Sequence, residues 1–306
     1  MNIRKTINFL RLRKFFYVVA VALMLASVGS LAVKQLNLGL DFTGGALVEL
    51  NYSEAADLEA IRATLRENGW GDAVVQNFGA STDVLIRLPS DDPNLGNQVA
   101  QMIKTTDGSD VSVKRVEFIG PQVGEELRDQ GGLGMLVAIA GILLYVSLRF
   151  QMKFAVAAIL ALVHDVIFTL GVFSFFGISF DLTVLAAILA VIGYSLNDTI
   201  VVFDRIRENL HKKGARKRDQ IELVNESINE TLPRTILTSG TTLAVLMALL
   251  ILGGAVIRDF TVVLILGVIV GTYSSIFVAS PALIEIQKKW GLGKTGEKKK
   301  HQPATV

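Results

Sequence analysis

The sequence predicts a polytopic α-helical membrane protein of six transmembrane helices with one α+β domain held outside the bilayer. Three observations predict it. Apolar residues make up 51% of the 306 and gather in blocks of about the 20 residues that a bilayer core requires. The charged residues, 19% of the chain, are segregated into the connections between those blocks. The single long polar stretch, 35–130, alternates strand-like and helix-like patterns. Cysteine is absent, which excludes disulfide frameworks, thiolate metal sites and cysteine nucleophiles. The formal net charge of +2 conceals the segregation and says little by itself.

Residues 1–14 carry Arg4, Lys5, Arg11, Arg13 and Lys14 ahead of the first span, 15–34, and the positive-inside tendency puts them in the cytoplasm. The apolar core of this span is longer than that of a signal peptide and ends at Lys34 and Gln35 without a small-x-small cleavage site, so it reads as a retained anchor. Residues 35–130 then fall outside. They hold 16 acidic against 7 basic side chains, net −9, and no apolar run long enough to cross a bilayer. Within them a strand at 46–52 precedes a helix at 55–68, which begins after Ser53 as N-cap and carries Leu58, Ile61 and Leu65 on one face. Strands at 73–78 and 84–88, a helix at 95–104 and a strand at 111–118 complete the order βαββαβ. That order belongs to a ferredoxin-like sandwich with both helices on one face of the sheet. The domain has no histidine, cysteine or Gly-rich phosphate loop, and so reads as a binding or mechanical unit.

After Gly131 and Gly132 comes a five-helix membrane domain, 131–287, with spans at 133–148, 154–176, 182–203, 235–252 and 260–284. Arg149 and Lys153 flank one turn, seven Lys or Arg residues lie between Asp204 and Gln220, and Lys288, Lys289, Lys294 and the lysines at 298–300 crowd a basic tail, 288–306. All three regions, and therefore both termini, are expected in the cytoplasm. The loops at 177–181 and 253–259 are short and poor in Lys and Arg, as external loops should be. The connection 205–233, apolar at Ile221, Val224 and Ile228, is expected to lie as a helix along the membrane surface. Its charge reads as a solvated positive-inside loop, not a nucleic-acid site. The tail is expected to be disordered, with anionic-lipid contact as the alternative.

The chemistry rests on polar residues inside the spans. Asp198, beside Asn197 in the fourth span, is costly there, at roughly 2.5–3.5 kcal/mol on insertion scales, and needs a partner, a cavity or a proton path. Arg234 opens a polar stripe with Thr238, Thr241 and Thr242 on the fifth span, and either snorkels to the headgroups or pairs with Asp198. In the second case a guanidinium that approaches and withdraws makes a proton switch of the carboxylate, because desolvation favours the neutral form and the cation the ionised one. Ser195, Asn197, Thr235, Thr238 and Ser239 are placed to hold water between the two. Asp204, near the interface, is expected to pair with Arg207 or Arg205. His164 and Asp165 interrupt the third span, and Gly267, Gly271 and Ser275 form a small-residue packing ridge on the sixth.

Taken together, several runs resemble the bacterial SecF family of the resistance-nodulation-division superfamily. They are Leu40-Asp41-Phe42-Thr43-Gly44-Gly45 at the root of the external domain, Ala161-Leu162-Val163-His164-Asp165-Val166, the run Gly193-Tyr194-Ser195-Leu196-Asn197-Asp198-Thr199 that continues to Asn209, and Arg234-Thr235 followed by Thr238-Ser239-Gly240. The resemblance covers nearly the whole chain. It implies a non-enzymatic protein-export subunit of the bacterial inner membrane, paired with SecD beside the SecYEG channel, drawing unfolded preproteins outward after insertion by SecA. It also implies that the proton-motive force drives the process without a cofactor, with Asp198 and Arg234 as relay residues, a further carboxylate on SecD and an external domain that touches the emerging chain.

Two other functions compete with this reading. Half of a small-molecule or lipid exporter would need long paired external insertions, and the small domain lacks them. An intramembrane aspartyl protease would use Asp165 and Asp198, since two carboxylates can share a proton. The Gly-x-Gly-Asp pattern expected of such an enzyme is missing, because Ser195 and Asn197 stand where glycine should precede Asp198.

Overall fold

The computed structural model describes residues 6–106, 111–212, 218–254 and 256–289. Among them, six helices are long and apolar enough to cross a membrane. A 3-10 turn, Phe9–Leu12, leads into α1, Arg13–Lys34. Then come β1, Asn37–Leu38, and a one-turn helix α2, Leu40–Thr43. The α+β domain consists of β2, Gly45–Asn51; α3, Leu58–Glu67; β3, Val74–Phe78; β4, Ala80–Leu88; α4, Leu95–Thr106; and β5, Ser112–Ile119. The remaining elements are α5, Pro121–Arg149; α6, Met152–Phe176; β6, Ser179–Phe180; α7, Leu182–His211; α8, Gln220–Leu252; and α9, Arg258–Ser274. A π-helical turn, Ser275–Ala279, joins α9 to α10, Ser280–Lys289, and the three together form the sixth span.

The four strands β2 to β5 pair antiparallel in the order β3-β4-β2-β5, the sheet of a ferredoxin-like domain, as the βαββαβ pattern predicts. Alternation sorts their side chains: Ala46, Val48, Leu50, Val84, Ile86 and Leu88 form a core with Ile61 and Leu65 of α3 and Val99 and Ile103 of α4. Burying each of the larger of these contributes about 1.5–3 kcal/mol. The helix expected to start after Ser53 starts later. Asp57 is its N-cap, accepting from the amides of Glu59 and Ala60 at 3.0 and 3.2 Å. A carboxylate satisfies two free N–H groups and suits the positive helix end better than a hydroxyl.

The helix that carries the second span starts ahead of the span read at 133–148. α5 begins at Pro121, a residue suited to a first helical turn, and runs without a break through Gly131, Gly132 and Gly134. Charges such as Glu125, Glu126 and Arg128 hid the continuity from a hydropathy reading, but they sit on an exposed, solvated turn. The connection expected along the membrane surface is likewise not a separate helix. It is the end of α7 and the start of α8, packed against each other. Ile206, Leu223, Val224 and Ile228 are buried between them, and Asn209 donates to Ser227 and Glu230, both at 2.8 Å. α8 continues straight through Pro233. The backbone at Ile7 is clipped to this region by Asn225 and Asn229 through contacts of 2.8 to 3.0 Å. Residues 213–217 of the basic loop and the tail from 290 lie outside the described residues.

The root of the domain is built by the Asp41-Phe42-Thr43-Gly44-Gly45 run. Asp41 accepts from the Leu182 amide at 3.0 Å and so caps α7, together with Asp181, which accepts from Val184 at 2.9 Å. Phe42 stacks on Phe180. Gly44 and Gly45 have φ of +66° and +109°, and a Cβ at Gly44 would stand 2.7 Å from the Pro121 Cα, while one at Gly45 would overlap the Leu88 carbonyl. Only glycine fits both conditions. β1 pairs in parallel with β6, and Arg87 on the sheet face away from α3 and α4 donates to the Leu38 carbonyl at 2.6 Å, Asn37 Oδ1 at 3.1 Å and Ser179 Oγ at 3.2 Å. Burial pushes the Arg87 pKa down, while Asp181 and Asp259 act the other way.

Candidate functional site

α7 and α9 pack closely because α9 offers no side chain at two successive turns. A Cβ on Gly267 would overlap Val191, and one on Gly271 would come within 2.9 Å of the Ser195 Cβ. This small-residue ridge does more than pack. It fixes the register that lays Ser274 and Ser275 against the buried carboxylates of the neighbouring helices.

Asp198 is 6% exposed. Its Oδ1 accepts from Thr235 Oγ1 of α8 and its Oδ2 from Ser275 Oγ of the π turn, both at 2.7 Å. Asp165 of α6 is fully buried and accepts from Ser195 Oγ of α7 at 2.5 Å and Ser274 Oγ of α9 at 2.6 Å, with His164 Nδ1 at 3.0 Å from its other oxygen. Ser195 and Asp198 lie three residues apart on α7, about 4.5 Å along its axis. Two adjacent serines thus serve two carboxylates on different helices, at the point where the helix widens to π geometry. Such turns are frequent at functional sites. Ser280 Oγ also donates to the Ser275 carbonyl, at 2.8 Å.

The serine hydroxyls have alternative acceptors. Ser275 Oγ lies 3.0 Å from the Thr272 carbonyl and Ser274 Oγ 3.2 Å from that of Gly271. When Asp198 is ionised, Ser275 donates to it. When Asp198 carries a proton, the hydroxyl can turn to Thr272 and receive the carboxyl hydrogen on its own oxygen. A hydroxyl rotation at Ser275 is thus available to serve either protonation state of Asp198.

The other positions singled out in the sequence separate into three groups. Thr235, read in the sequence as one of the residues holding water between Asp198 and Arg234, bonds Asp198 directly. Ser195 belongs to Asp165, and Ser239 bonds Thr272 Oγ1 at 2.7 Å and takes a 3.3 Å bond from Tyr194. Asn197, Arg234 and Thr238 are exposed on the outer surface of α7 and α8, with Thr238 returning its hydroxyl to the Arg234 carbonyl at 2.9 Å. Arg234 forms no ion pair with Asp198 in this structure; the helical turn presents its neighbour Thr235 there instead. Asp204 pairs with Arg207 at 2.9 Å, whereas Arg205 binds Glu208 and Glu230. Ser274 and Thr272 were missed, although the hydroxyl-rich run Thr272-Tyr273-Ser274-Ser275 is unusual inside an apolar span and marks them.

Six spans, a ferredoxin-like domain rooted between the first two and protonatable groups sealed in the bundle define an integral membrane protein of the transport class. Residues 98–289 match the family model described as protein export membrane protein SecD/SecF, C-terminal, and residues 29–56 match the SecD/SecF GG motif. The chain belongs to the SecD/SecF family and is a SecF-type protein translocase subunit, a translocation component and not an enzyme. It is 55% identical over 286 residues to the protein translocase subunit SecF of Pseudomonas aeruginosa, covering 93% of each chain. It is 51% identical over 290 residues to that of Vibrio alginolyticus, covering 94% of this chain and 91% of the relative. The crystal structure of SecDF, a translocon-associated membrane protein from Thermus thermophilus, superposes with a TM-score of 0.86 at 37% identity over 94% of this chain. The present chain spans 40% of that longer one. A crystal structure of SecDF in a super-membrane-facing form matches with a TM-score of 0.69, also at 37% identity.

Proposed function

We propose that this chain forms the SecF half of a SecD–SecF pair in the bacterial cytoplasmic membrane, with both termini in the cytoplasm, and uses proton entry at Asp198 to promote export of unfolded preproteins through SecYEG after their insertion by SecA. The observation that carries this reading is Asp198 itself: a carboxylate deep in the bundle, held by two hydroxyls from two other helices, one of which has a second acceptor ready. A proton crossing 100 mV releases about 2.3 kcal/mol, enough to bias a helix arrangement in each cycle. The coupling ion in this reading is H+, and no cofactor is required.

Arg234 complements this arrangement from outside. It is exposed on α8, and the small residues Ala186, Ala190 and Gly193, with Asn197, are exposed along the neighbouring α7. Small residues let a second membrane subunit approach closely. SecD would cover this face, desolvate Arg234 and bring its charge into play against Asp198. The α+β domain is the part that contacts the emerging preprotein.

Asp198→Asn and Arg234→Met are each expected to abolish proton-force-dependent export into inverted membrane vesicles while leaving insertion and co-purification with SecD unchanged. Normal export by either variant under a maintained gradient would refute the relay assignment.

A further inference from the structure

The proposed relay leaves out the most deeply buried ionisable group of the membrane domain. Asp165 is fully buried and His164 is 4% exposed, in the middle of a span whose sequence is otherwise apolar. With two hydroxyls donating to it, Asp165 is arranged as an ionised acceptor. The Nδ1 of His164 faces that carboxylate, so Nδ1 carries the hydrogen and Nε2 is left as a bare lone pair. That Nε2 is buried and has no hydrogen-bond partner among the described residues. An unsatisfied buried acceptor is costly, and here it is also a vacant site for a proton.

We propose that His164 and Asp165 form a second proton-binding centre, electrically coupled to Asp198, in which Nε2 of His164 takes up the proton and Asp165 serves as counter-ion. Loading adds one N–H bond at Nε2 from an aqueous proton and breaks none in the protein. The centre passes from a charge of −1 to a neutral ion pair, which burial tolerates better than either lone charge. The coupling runs over the short span in which Ser195 and Asp198 share a helix face and Ser274 and Ser275 are consecutive donors. A charge on one carboxylate must alter proton binding at the other when little water screens them.

The helices packed on α6 bring few other ionisable groups to this depth. α1 carries Tyr17, α5 the exposed Tyr145, α7 Tyr194 and Asp198, α9 Tyr273, and α10 Glu285 towards its end. Tyr273 is in ring contact with His164 at 6.3 Å, and its hydroxyl is directed to the Phe16 carbonyl at 3.4 Å. Asp198 is therefore the group whose titration should report the charge at Asp165, with Arg234 of α8 acting on Asp198 from the other side.

The inference deepens the relay reading and rests on Asp198 being protonatable, so the test measures Asp198 directly. Dicyclohexylcarbodiimide labels protonated carboxyls in apolar surroundings, and peptide mass spectrometry of the labelled full chain, paired with SecD in membranes, gives the pH midpoint at Asp198. Asp165→Asn makes the centre neutral and should move the midpoint to lower pH. His164→Gln leaves the carboxylate uncompensated and should move it to higher pH. The two variants should differ by about one pH unit or more, a tenfold change in proton affinity, with the parent between them. The His164→Gln shift should vanish in the Asp165→Asn background. Equal midpoints, or a His164→Gln shift that persists in that background, would overturn the coupling while leaving the relay intact. No pH-dependent labelling in the parent would overturn both.

A second measurement needs no change at the centre. The chain has three histidines, so in the variant His211→Gln/His301→Gln the 15N resonances report His164 alone. A neutral Nδ1–H form whose Nε2 protonates as the pH falls supports the proposal. A hydrogen fixed on Nε2 throughout refutes it.

Discussion

Removing the Arg87 side chain should loosen the α+β domain from the bundle without unfolding the domain. Arg87 is 9% exposed and makes three hydrogen bonds across the root of the domain, at 2.6, 3.1 and 3.2 Å. A hydrogen bond to a charged group contributes about 1.5–3 kcal/mol net. The shortest contact deserves a value in that range. The two longer ones deserve less, because they are weaker contacts at 3.1 and 3.2 Å and both Asn37 and Ser179 are only half-buried. Once the root opens, all three acceptors also regain water. A total of about 3 kcal/mol for Arg87→Ala follows, on the order of a hundredfold in the opening equilibrium. The assay is hydrogen exchange at the Gly39 amide, which donates to the Phe180 carbonyl at 2.7 Å, and at the Leu182 amide, held by Asp41. Both should exchange about a hundred times faster, since exchange follows the free energy of local opening. Amides inside β2 and β4 should keep their protection. Exchange at Gly39 and Leu182 within threefold of the parent would refute the argument and place the docking energy in the β1–β6 pair and the Phe42–Phe180 contact instead.

Two further substitutions test the glycines. Gly267→Ala should lower thermal stability in detergent by about 1–3 kcal/mol through overpacking against Val191, and Val191→Ala in the same chain should restore part of the loss; an unchanged melting temperature would show that α7 and α9 can separate freely. Gly45→Ala demands a positive φ from an L residue and places its methyl on the Leu88 carbonyl, a strain of about 1–3 kcal/mol before the clash is counted. Limited proteolysis should then cut between α1 and α5 faster than in the parent, and equal resistance would refute it.

Much of the architecture was legible because it follows from period and length. Alternation in Ala46, Val48 and Leu50 set the face of β2, and apolar run length marked the spans. What escaped the sequence were boundaries decided by tertiary partners. α5 extends back to Pro121 because its first turn packs on α2, where a Cβ at Gly124 would stand 2.8 Å from the Gly44 amide nitrogen. α8 reaches back to Gln220 because Asn209 and Glu230 knit it to α7. The depth of Asp198 in its span identified it as a suspect, and Thr235 entered as one of several hydroxyls near it, without a sign that it would bond the carboxylate directly. The pairing with Arg234 did not appear within the single chain, since a one-residue step turns a side chain by about 100° and sends Thr235 and Arg234 in different directions. The hydroxyl-rich run marks Ser274 as unusual, but which carboxylate it meets is set by the glycine ridge acting between two helices.

The capping of α7 by Asp41 makes the helix a lever. Its free amide at Leu182 is gripped by the very segment from which the α+β domain grows, and Asp198 lies sixteen residues further along, about 24 Å down the same rigid rod. A tilt of about 5° pivoting near the carboxylate would carry the gripped end sideways by about 2 Å, given a helix of that length. A displacement of α7 near Asp198 would therefore be felt at the Asp41 contact, the point from which the α+β domain grows.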